Sequence, residues 1–342
     1  MTNRGGHTAS PFWNAHSEKE TVSDDVTSTS YRYEQEFFYT LRHYSTLRKY
    51  YFSDYSTAIP GLENTCFGSS DSDQMVPQGI CIAGDYMLIS AYDKSGKENS
   101  VLYVLSNEDA ANRELLTTIV LPDKNHVGGI AYDGSSLWVA KSTSRRLSEI
   151  TYEHIAEAAF SGRNVYELEE YDGEFNCGVT ASFVSYQDGR LWVGTSHSFV
   201  NRQGMLTVFR QTEENKTGDK SDNQEKWVRQ FTLEIPDYAQ GVAFFSESGT
   251  EYLLLSTSHG RFQSSCLYLY EETIDDEKVV LSPKAKFEMP PMAEELISDG
   301  EYTYCLFESA ATCYSVGEGL RCEYPVDRVC ALVNQLLTGS AE

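Results

Sequence analysis

The stretch GGIAYDGSSLWVAKST (128–143) contains the pattern that decides the fold. A short apolar run (Gly129-Ile130-Ala131-Tyr132) meets an Asp133-Gly134 turn. A second apolar run (Leu137-Trp138-Val139-Ala140) follows and ends in polar residues. An Asp-Gly step between two such runs is a hairpin signature. The pattern recurs from Gln78 (QGICI … YMLISAYD), Thr180 (TASFV … LWVGTSH), Gln240 (QGVAF … YLLLSTSH) and Glu294 (EELISDG … YCLFESA). The five starts lie 50, 52, 60 and 54 residues apart. Further strand-like runs follow the pairs, among them VLYVL and LLTTIVL, MLTVF and WVRQFTLEI, CLYLY and AKFEM. Four strands per unit at about 50 residues is the spacing of a propeller blade. The sequence therefore predicts an all-β chain, a five-bladed β-propeller of four-stranded antiparallel blades over residues 70–332. A pair of β-sandwiches, the alternative, explains neither the even period nor the fixed motif position.

The remainder divides around the repeat. Residues 1–30 are polar and Ser/Thr-rich and read as a flexible, disordered lead-in. Residues 31–69 form an aromatic N-terminal segment. Its dense Tyr, Phe and Arg are expected to pack on the propeller or complete a blade, a partner-binding patch being the sharper reading. Residues 333–342 are a C-terminal tail. Ala and Glu at 154–159 with Gly162 behind them predict a short helix in 152–173. Residues 210–227 and 271–277 read as charged outer loops.

The chain has 342 residues, 51 acidic against 27 basic, and a formal charge of −24. That balance argues against duplex nucleic acid and anionic membranes, both of which need Lys and Arg. No apolar run approaches the ~20 residues of a membrane span, and no apolar leader segment is visible. The 8 Cys are too sparse for a disulfide scaffold and form no CxxC pair. Cys81, Cys305 and Cys330 sit in apolar runs and read as small buried hydrophobes. Cys313 and Cys322 flank what looks like a hairpin over 316–319, where they could face each other.

In a propeller the innermost strand of each blade starts at the rim to which the second strand returns. First-strand starts and second-strand ends should therefore converge on one funnel. The starts contribute Gln78, His126, Asn176, Thr180, Gln240, Glu294 and Glu295. The ends contribute Tyr92, Asp93, Lys141, Ser142, Thr195, His197, Ser258, His259, Arg261, Glu308 and Ser309. Solvation of a channel mouth explains Gln and Thr there, but less well the gathering of His, Glu and cationic residues. Gly79, Gly128, Gly129 and Gly241 fit close approach of backbones at a narrow axis.

Three chemistries fit this set. Glu294, Glu295 and Glu308 offer hard oxygens of the kind calcium takes, and the His residues would suit zinc or iron. No HExxH or EF-hand motif supports a metal, so no metal ligand is assigned. Glu308 or Glu294 could act as a general acid/base with His126, His197 or His259 polarising. Ser196, Ser258 or Ser309 could be nucleophiles, but no GxSxG elbow is present.

The segments VPQGICI (76–82), HVGGIAYDGSSLWVA (126–140), TASFVSYQDGRLWVG (180–194), AQGVAF (239–244), PPMAEELI (290–297), LFESAATCY (306–314) and YPVDRV (324–329) resemble a group of bacterial, mostly Gram-positive, extracytoplasmic five-bladed propellers. That group has no settled activity. In it the fifth blade usually reads Met-Ala-Glu-Gly. Here Met292-Ala293-Glu294-Glu295 puts Glu295 where glycine is usual, adding a charge at the rim or perturbing the close approach. The Gln-Gly strand start and Phe-Glu-Ser strand end are more distantly similar to plant-type glutaminyl cyclases. That likeness implies Gln78 as a substrate-positioning residue and Glu308 as the acid/base. Gluconolactonase-like propellers, which bind calcium on the axis, are a further distant likeness.

The functional expectation is a propeller whose polar, partly acidic funnel binds a small molecule or peptide end, with Gln78, Tyr92, Lys141, Thr180, Gln240, Arg261 and Glu295 as rim ligands. The alternative is an extracytoplasmic hydrolase, lyase or cyclotransferase-like enzyme using a funnel Glu, with or without a bound metal. The chain is expected to be monomeric. An extracytoplasmic or secreted location follows from the resemblance alone, and the visible residues fit the cytoplasm equally.

Overall fold

A strand sandwiched between two neighbouring blades buries both faces, so its sequence is apolar without alternation rather than apolar at every second residue. The inner strands have this character. Met75–Ala83 is buried at all but one position and Ser136–Lys141 at every position. The computed structural model describes residues 26–196, 203–212, 226–275, 278–315 and 320–339. The described chain is mostly β and forms a five-bladed propeller of antiparallel blades.

The described chain opens with helices α1 (Glu34–His43) and α2 (Ser45–Tyr50), a 3-10 turn, the short strand β1 (Thr57–Ala58) and a small hairpin of β2 (Thr65–Cys66) and β3 (Asp71–Ser72). Blade one is β4 (Met75–Ala83), β5 (Tyr86–Asp93), β6 (Val101–Ser106) and β7 (Leu115–Val120). Blade two is β8 (Val127–Tyr132), β9 (Ser136–Lys141) and β10 (Arg146–Thr151). Helix α3 (Tyr152–Phe160) and β11 (Val165–Glu167) come next, and β12 (Gly173–Asn176) completes the blade. Strand β11 leaves its own blade and adds in parallel to β7, giving blade one a fifth strand. Blade three is β13 (Phe183–Gln187), β14 (Arg190–Thr195), β15 (Gly204–Gln211) and β16 (Trp227–Ile235). Blade four is β17 (Ala239–Glu247), β18 (Thr250–Thr257), β19 (Ser265–Asp275) and β20 (Lys278–Met289). Blade five is β21 (Ala293–Ser298) and β22 (Tyr302–Phe307), then a turn of helix α4 (Thr312–Ser315) and β23 (Arg328–Val333), before helix α5 (Asn334–Thr338).

The outermost strand of blade five is β1, which pairs with β23 through Thr57↔Val329 and Ala58↔Arg328. The N-terminal segment thus supplies the last strand of the last blade. Five clusters of buried apolar residues lie between neighbouring blades. Ile80 and Met87 pack with Tyr304 and Leu306, Leu88 with Val139, and Trp138 with Val193. Trp192 packs with Leu255, and Leu254 with Phe307.

Two of the Asp-Gly turns are the same device. Asp133 accepts the N–H groups of Ser135 and Ser136, and its Oδ2 takes the indole N–H of Trp138 at 2.8 Å. Asp299 accepts from Glu301 and Tyr302, and its Oδ2 takes the Tyr304 hydroxyl at 2.8 Å. The Asp188-Gly189 turn is tighter, with both residues at positive φ (49° and 74°), the signature of a two-residue hairpin loop. The helix predicted in 152–173 is α3, and Gly162 behind it has φ +66°.

Helices α1 and α2 were not predicted. The signal was there: Phe37, Thr40, Tyr44, Leu47 and Tyr50 are buried at intervals of three and four residues, and Tyr and Arg between them obscured the period. Most of the aromatics of this segment are used in packing. Tyr50 sits edge-on to Phe287 in blade four, and Arg328 lies 4.0 Å from both the Tyr31 and Phe37 rings while its Nε bonds Asp327 at 2.8 Å.

Residues 271–275 are not loop but the end of β19, because the β19–β20 hairpin runs on to Asp275↔Lys278. Glu272 is buried there opposite Glu251, and burial first, then that neighbour, pushes its carboxyl up to about 7. The segments 1–25, 213–225, 276–277, 316–319 and 340–342, with parts of the predicted lead-in, charged loops, hairpin and tail, lie outside the described residues.

Candidate functional site

Each innermost strand has one edge paired to its own blade and one edge facing the axis, where its N–H groups have no ladder partner. In four blades that strand begins with a β-bulge, an extra residue that re-aims the backbone. The bulges fall between Pro77 and Gly79, Val127 and Gly129, Ala239 and Gly241, and Ala293 and Leu296. Their extra residues include Gln78, Gly128, Gln240 and the Glu294-Glu295 step. The repeat is thus a repeated backbone distortion at the channel end.

Glu295 uses this arrangement. Its side chain leaves blade five and reaches the axis, where Oε2 accepts the backbone N–H of Ile80 in blade one at 2.8 Å and of Ile130 in blade two at 2.9 Å. The Val184 N–H of blade three also favours its charged form. The residue is 1% exposed. Desolvation wins over these hydrogen bonds, and the carboxyl lies well above the ordinary carboxylate range. The glycines are what admit it. A Cβ on Gly129 would stand 2.5 Å from Glu295 Oε1 and 2.8 Å from Phe183 Cα, and one on Gly241 would stand 2.6 Å from Glu295 Cα. Glu295 therefore occupies the axis rather than a wet rim and ties three other blades to the fifth.

Serines of the second strands make similar ties between neighbours. Ser90 Oγ accepts from Gly79 N–H and donates to Val127 O, Ser142 Oγ donates to Ser182 O, and Ser256 Oγ donates to Glu294 O. Ser309, weighed as a nucleophile, accepts the Val326 N–H at 3.0 Å.

Above Glu295, at the mouth, Glu294 and Glu308 meet. Glu294 is 3% exposed, while Glu308 is partly open. The two carboxyls share a hydrogen bond. Burial, the Glu308 charge and that bond hold Glu294 well above the ordinary range, so it keeps the shared proton. Burial also raises Glu308, but Gln78, Lys94, Glu294 and Arg261 pull it back, and it settles at about 7. Gln78 is fixed for this contact, its Nε2 donating to Glu308 Oε2 and to Pro77 O, each at 2.9 Å. Two carboxyls driven to different proton affinities make a pair able to take up or release a proton near neutrality.

The surroundings are aromatic and cationic. Tyr92 and Tyr314 stand beside Glu308, and burial first, then its charge, raises the proton affinity of both phenols. Lys94 Nζ lies 3.2 Å from the Tyr92 hydroxyl and 5.7 Å from the Tyr314 ring centre. Arg261 lies 4.8 Å from that same centre, and its Nη1 donates to Leu320 O at 2.7 Å. The His126 ring packs on Tyr92 at 4.3 Å, with Nδ1 3.0 Å from Ser142 Oγ. Burial, and secondarily Lys94, depresses His126 to about 4, so at neutral pH it is an uncharged imidazole.

Other candidates stand apart. Lys141 is buried away from the pair, 2.9 Å from Asp123 and 3.5 Å from Glu174, with Nζ 4.2 Å from the Tyr171 ring centre. A buried ammonium needs such partners, and these come from the link between β7 and β8 and from the outermost strand β12. Thr180 is exposed, its carbonyl accepting from Thr195 Oγ1. His259 is exposed and packs on Tyr238 at 4.2 Å. Gln240 is half-buried at its bulge. Asp93 caps its own loop by accepting the N–H groups of Ser95, Lys97 and Glu98. His197 lies outside the described residues. Cys313 and Cys322 are not joined, and no disulfide links any of the eight cysteines among the described residues. Among the described residues no three His, Cys, Asp or Glu side chains are grouped to hold a metal, and no helix is long and apolar enough to cross a membrane.

Lys94 and Tyr314 were not on the sequence shortlist. Lys94 directly follows the end of β5, one step beyond the positions the repeat marks. Tyr314 lies in a turn whose burial no periodicity announces.

No family model matches the chain, and no curated protein does. Solved structures share the fold at low similarity. Glutaminyl cyclase of Myxococcus xanthus matches at 12% identity and a TM-score of 0.42, over 76% of this chain and 90% of that one. A Thermus thermophilus protein described as an oxidoreductase (glucose dehydrogenase) matches at 11% identity and 0.38, over 75% and 96%. The β-propeller domain of Myceliophthora thermophila Cps50 (Swd1) matches at 12% and 0.35, over 69% and 81%. At these values the likeness is one of propeller fold alone.

Proposed function

We propose that the mouth above Glu295 is a binding site for a small molecule or a peptide end, with Glu308 as the group a ligand meets first. The observation that carries this reading is the gradient of burial through one hydrogen-bonded chain. Glu294 and Gln78 are buried and fixed, while Glu308, bonded to both, is partly open. A structural network would be closed at both ends. This one ends in a partly exposed acceptor, pre-oriented by buried partners as binding sites require.

The test is a panel of small amines, amides and short peptides, read by calorimetry against the natural chain and Glu308→Gln. Saturable binding weakened at least tenfold by the substitution supports the reading. Binding that ignores the substitution, or no binding across the panel, sinks it.

The Glu308 value of about 7 favours a second reading, general acid/base catalysis, since an acid/base works best when its proton affinity matches the operating pH. Mass spectrometry of each bound compound after incubation separates the two, because turnover changes the ligand and binding does not. Both readings take the chain as a monomer acting outside the cytoplasm, the location resting only on the resemblance to bacterial extracytoplasmic propellers. Light scattering and cell fractionation test these points.

A further inference from the structure

The mouth carries a charge imbalance that the acidic pair does not explain. In a chain of net charge −24, Lys94 and Arg261 have no carboxylate within ion-pair distance among the described residues. They come from different blades, 167 positions apart in sequence, yet both lie over one ring, Tyr314, at 5.7 Å and 4.8 Å from its centre. Both are held in place, Lys94 by the Tyr92 hydroxyl and Arg261 by Leu320 O. Tyr314 is itself 8% exposed, with its N–H on Ala311 O and its carbonyl on Cys322 N–H.

Both cations act on Glu308. If neutralising Glu308 were their whole task, its carboxyl would lie at or below the ordinary range, but burial leaves it at about 7. Glu294 keeps its proton, and the nearby Cys313 and Cys322 thiols are pushed up to about 11 and stay neutral. Among the described residues, Lys94 and Arg261 therefore both act on the one carboxyl of Glu308 without an ion pair of their own, in an otherwise acidic molecule. This charge balance favours an anion beside the two cations, near the Glu308 acceptor.

We infer that the mouth takes a ligand with a carboxylate beside an N–H donor, a free amino acid or the C-terminal end of a peptide, its carboxylate between Lys94 and Arg261 and its N–H on Glu308. This inference rests on the binding reading above and names the ligand class for it. Arg gives such a carboxylate a forked donor and Lys a point charge, while the flanking tyrosines give the ligand's backbone an apolar wall.

The probes are free glycine, glycylglycine, its C-terminal amide and its N-acetyl form, followed by calorimetry and ligand-observed NMR on the full chain. Glycylglycine is expected to bind at least tenfold more tightly than its amide. In Lys94→Gln/Arg261→Gln that preference should fall below twofold. Both positions are at least partly exposed, and a melting temperature within a few degrees of the natural chain confirms folding. Free glycine and the N-acetyl form separate the two sources: binding of the N-acetyl form equal to glycylglycine indicates a peptide end, and tighter binding of glycine than of either peptide a free amino acid. Equal binding of acid and amide, both weakened by Glu308→Gln, overturns the carboxylate inference and leaves the binding reading intact. Acid preference that survives the double substitution also overturns it. No Glu308-dependent binding of any probe overturns both.

Discussion

Glu308 and His126 face one another across Tyr92 with proton affinities displaced in opposite directions, Glu308 from 4.5 up to about 7 and His126 from 6.5 down to about 4. Each displacement makes stability depend on pH, and the signs are opposite. Glu308 binds its proton more tightly in the folded chain. Its contribution is fully present below the unfolded value of 4.5 and is lost as pH rises through about 7. His126 binds its proton less tightly when folded. Its contribution is present above 6.5 and is lost as pH falls through about 4. At pH 5.5 the folded chain holds nearly one proton more than the unfolded chain at Glu308 and nearly one fewer at His126. Each proton of difference is a slope of about 1.4 kcal/mol per pH unit, so the two nearly cancel and either substitution should expose the other.

The measurement is urea unfolding of the natural chain, Glu308→Gln and His126→Asn at intervals from pH 4.5 to 7.5. The stability advantage of the natural chain over Glu308→Gln should shrink by roughly 2–3 kcal/mol as pH rises across that range. Its advantage over His126→Asn should grow by a similar amount between pH 4.5 and 6.5. The Asn amide retains an acceptor or donor for Ser142, so the comparison isolates the titration. Difference curves flat to within about 0.5 kcal/mol, or tilted the same way, would refute the opposed displacement and the burial that causes it.

Three further outcomes follow from the axis and its edge. Glu295→Ala leaves the buried N–H groups of Ile80 and Ile130 without acceptors and opens a void, so denaturant midpoints should show a loss of about 3–5 kcal/mol, with Glu295→Gln recovering about half. A loss under 1 kcal/mol in the alanine variant would mean that the carboxyl is not the tie between blades. Gly129→Ala puts a Cβ 2.5 Å from Glu295 Oε1 and 2.8 Å from backbone, which should cost about 2–3 kcal/mol by the same measurement. Lys141→Met removes the ion pairs to Asp123 and Glu174 at the edge of blade two, and should lower the melting temperature by a few degrees while leaving ligand affinity at the mouth within twofold.

The fold was legible because a propeller writes itself locally. Each blade needs its own hairpins, and residues such as Asp133, Asp188 and Asp299 mark the turns within a few positions of the strands they join. Apolar runs without alternation follow from burial between two blades, as in Leu137–Ala140. Equal spacing then sets the blade number. Several site residues could be named for the same reason: Gln78 and Glu294 stand at the same step of their repeats, Glu308 stands at a strand end that returns to that rim, and equivalent steps of a circular array must meet.

What repeats could not supply is the direction and state of a side chain once it arrives. Lys141 and His126 both lie at repeat-marked positions of blade two, yet Lys141 turns out to Asp123 while His126 packs against Tyr92 at the mouth. Glu294 and Glu295 are neighbours in sequence, and a single bulge sends one to Glu308 and the other down the axis. The closing strand Thr57–Ala58 has too few residues to announce itself and exists only because β23 offers it an edge. The sequence alone determined how many blades there are, where they begin and at which steps of the repeat polar residues recur. Only the tertiary structure decided which of those carboxyls is sealed, which stays protonated and which remains open to a partner, because desolvation and charge at the axis are sums over five blades that no single repeat contains.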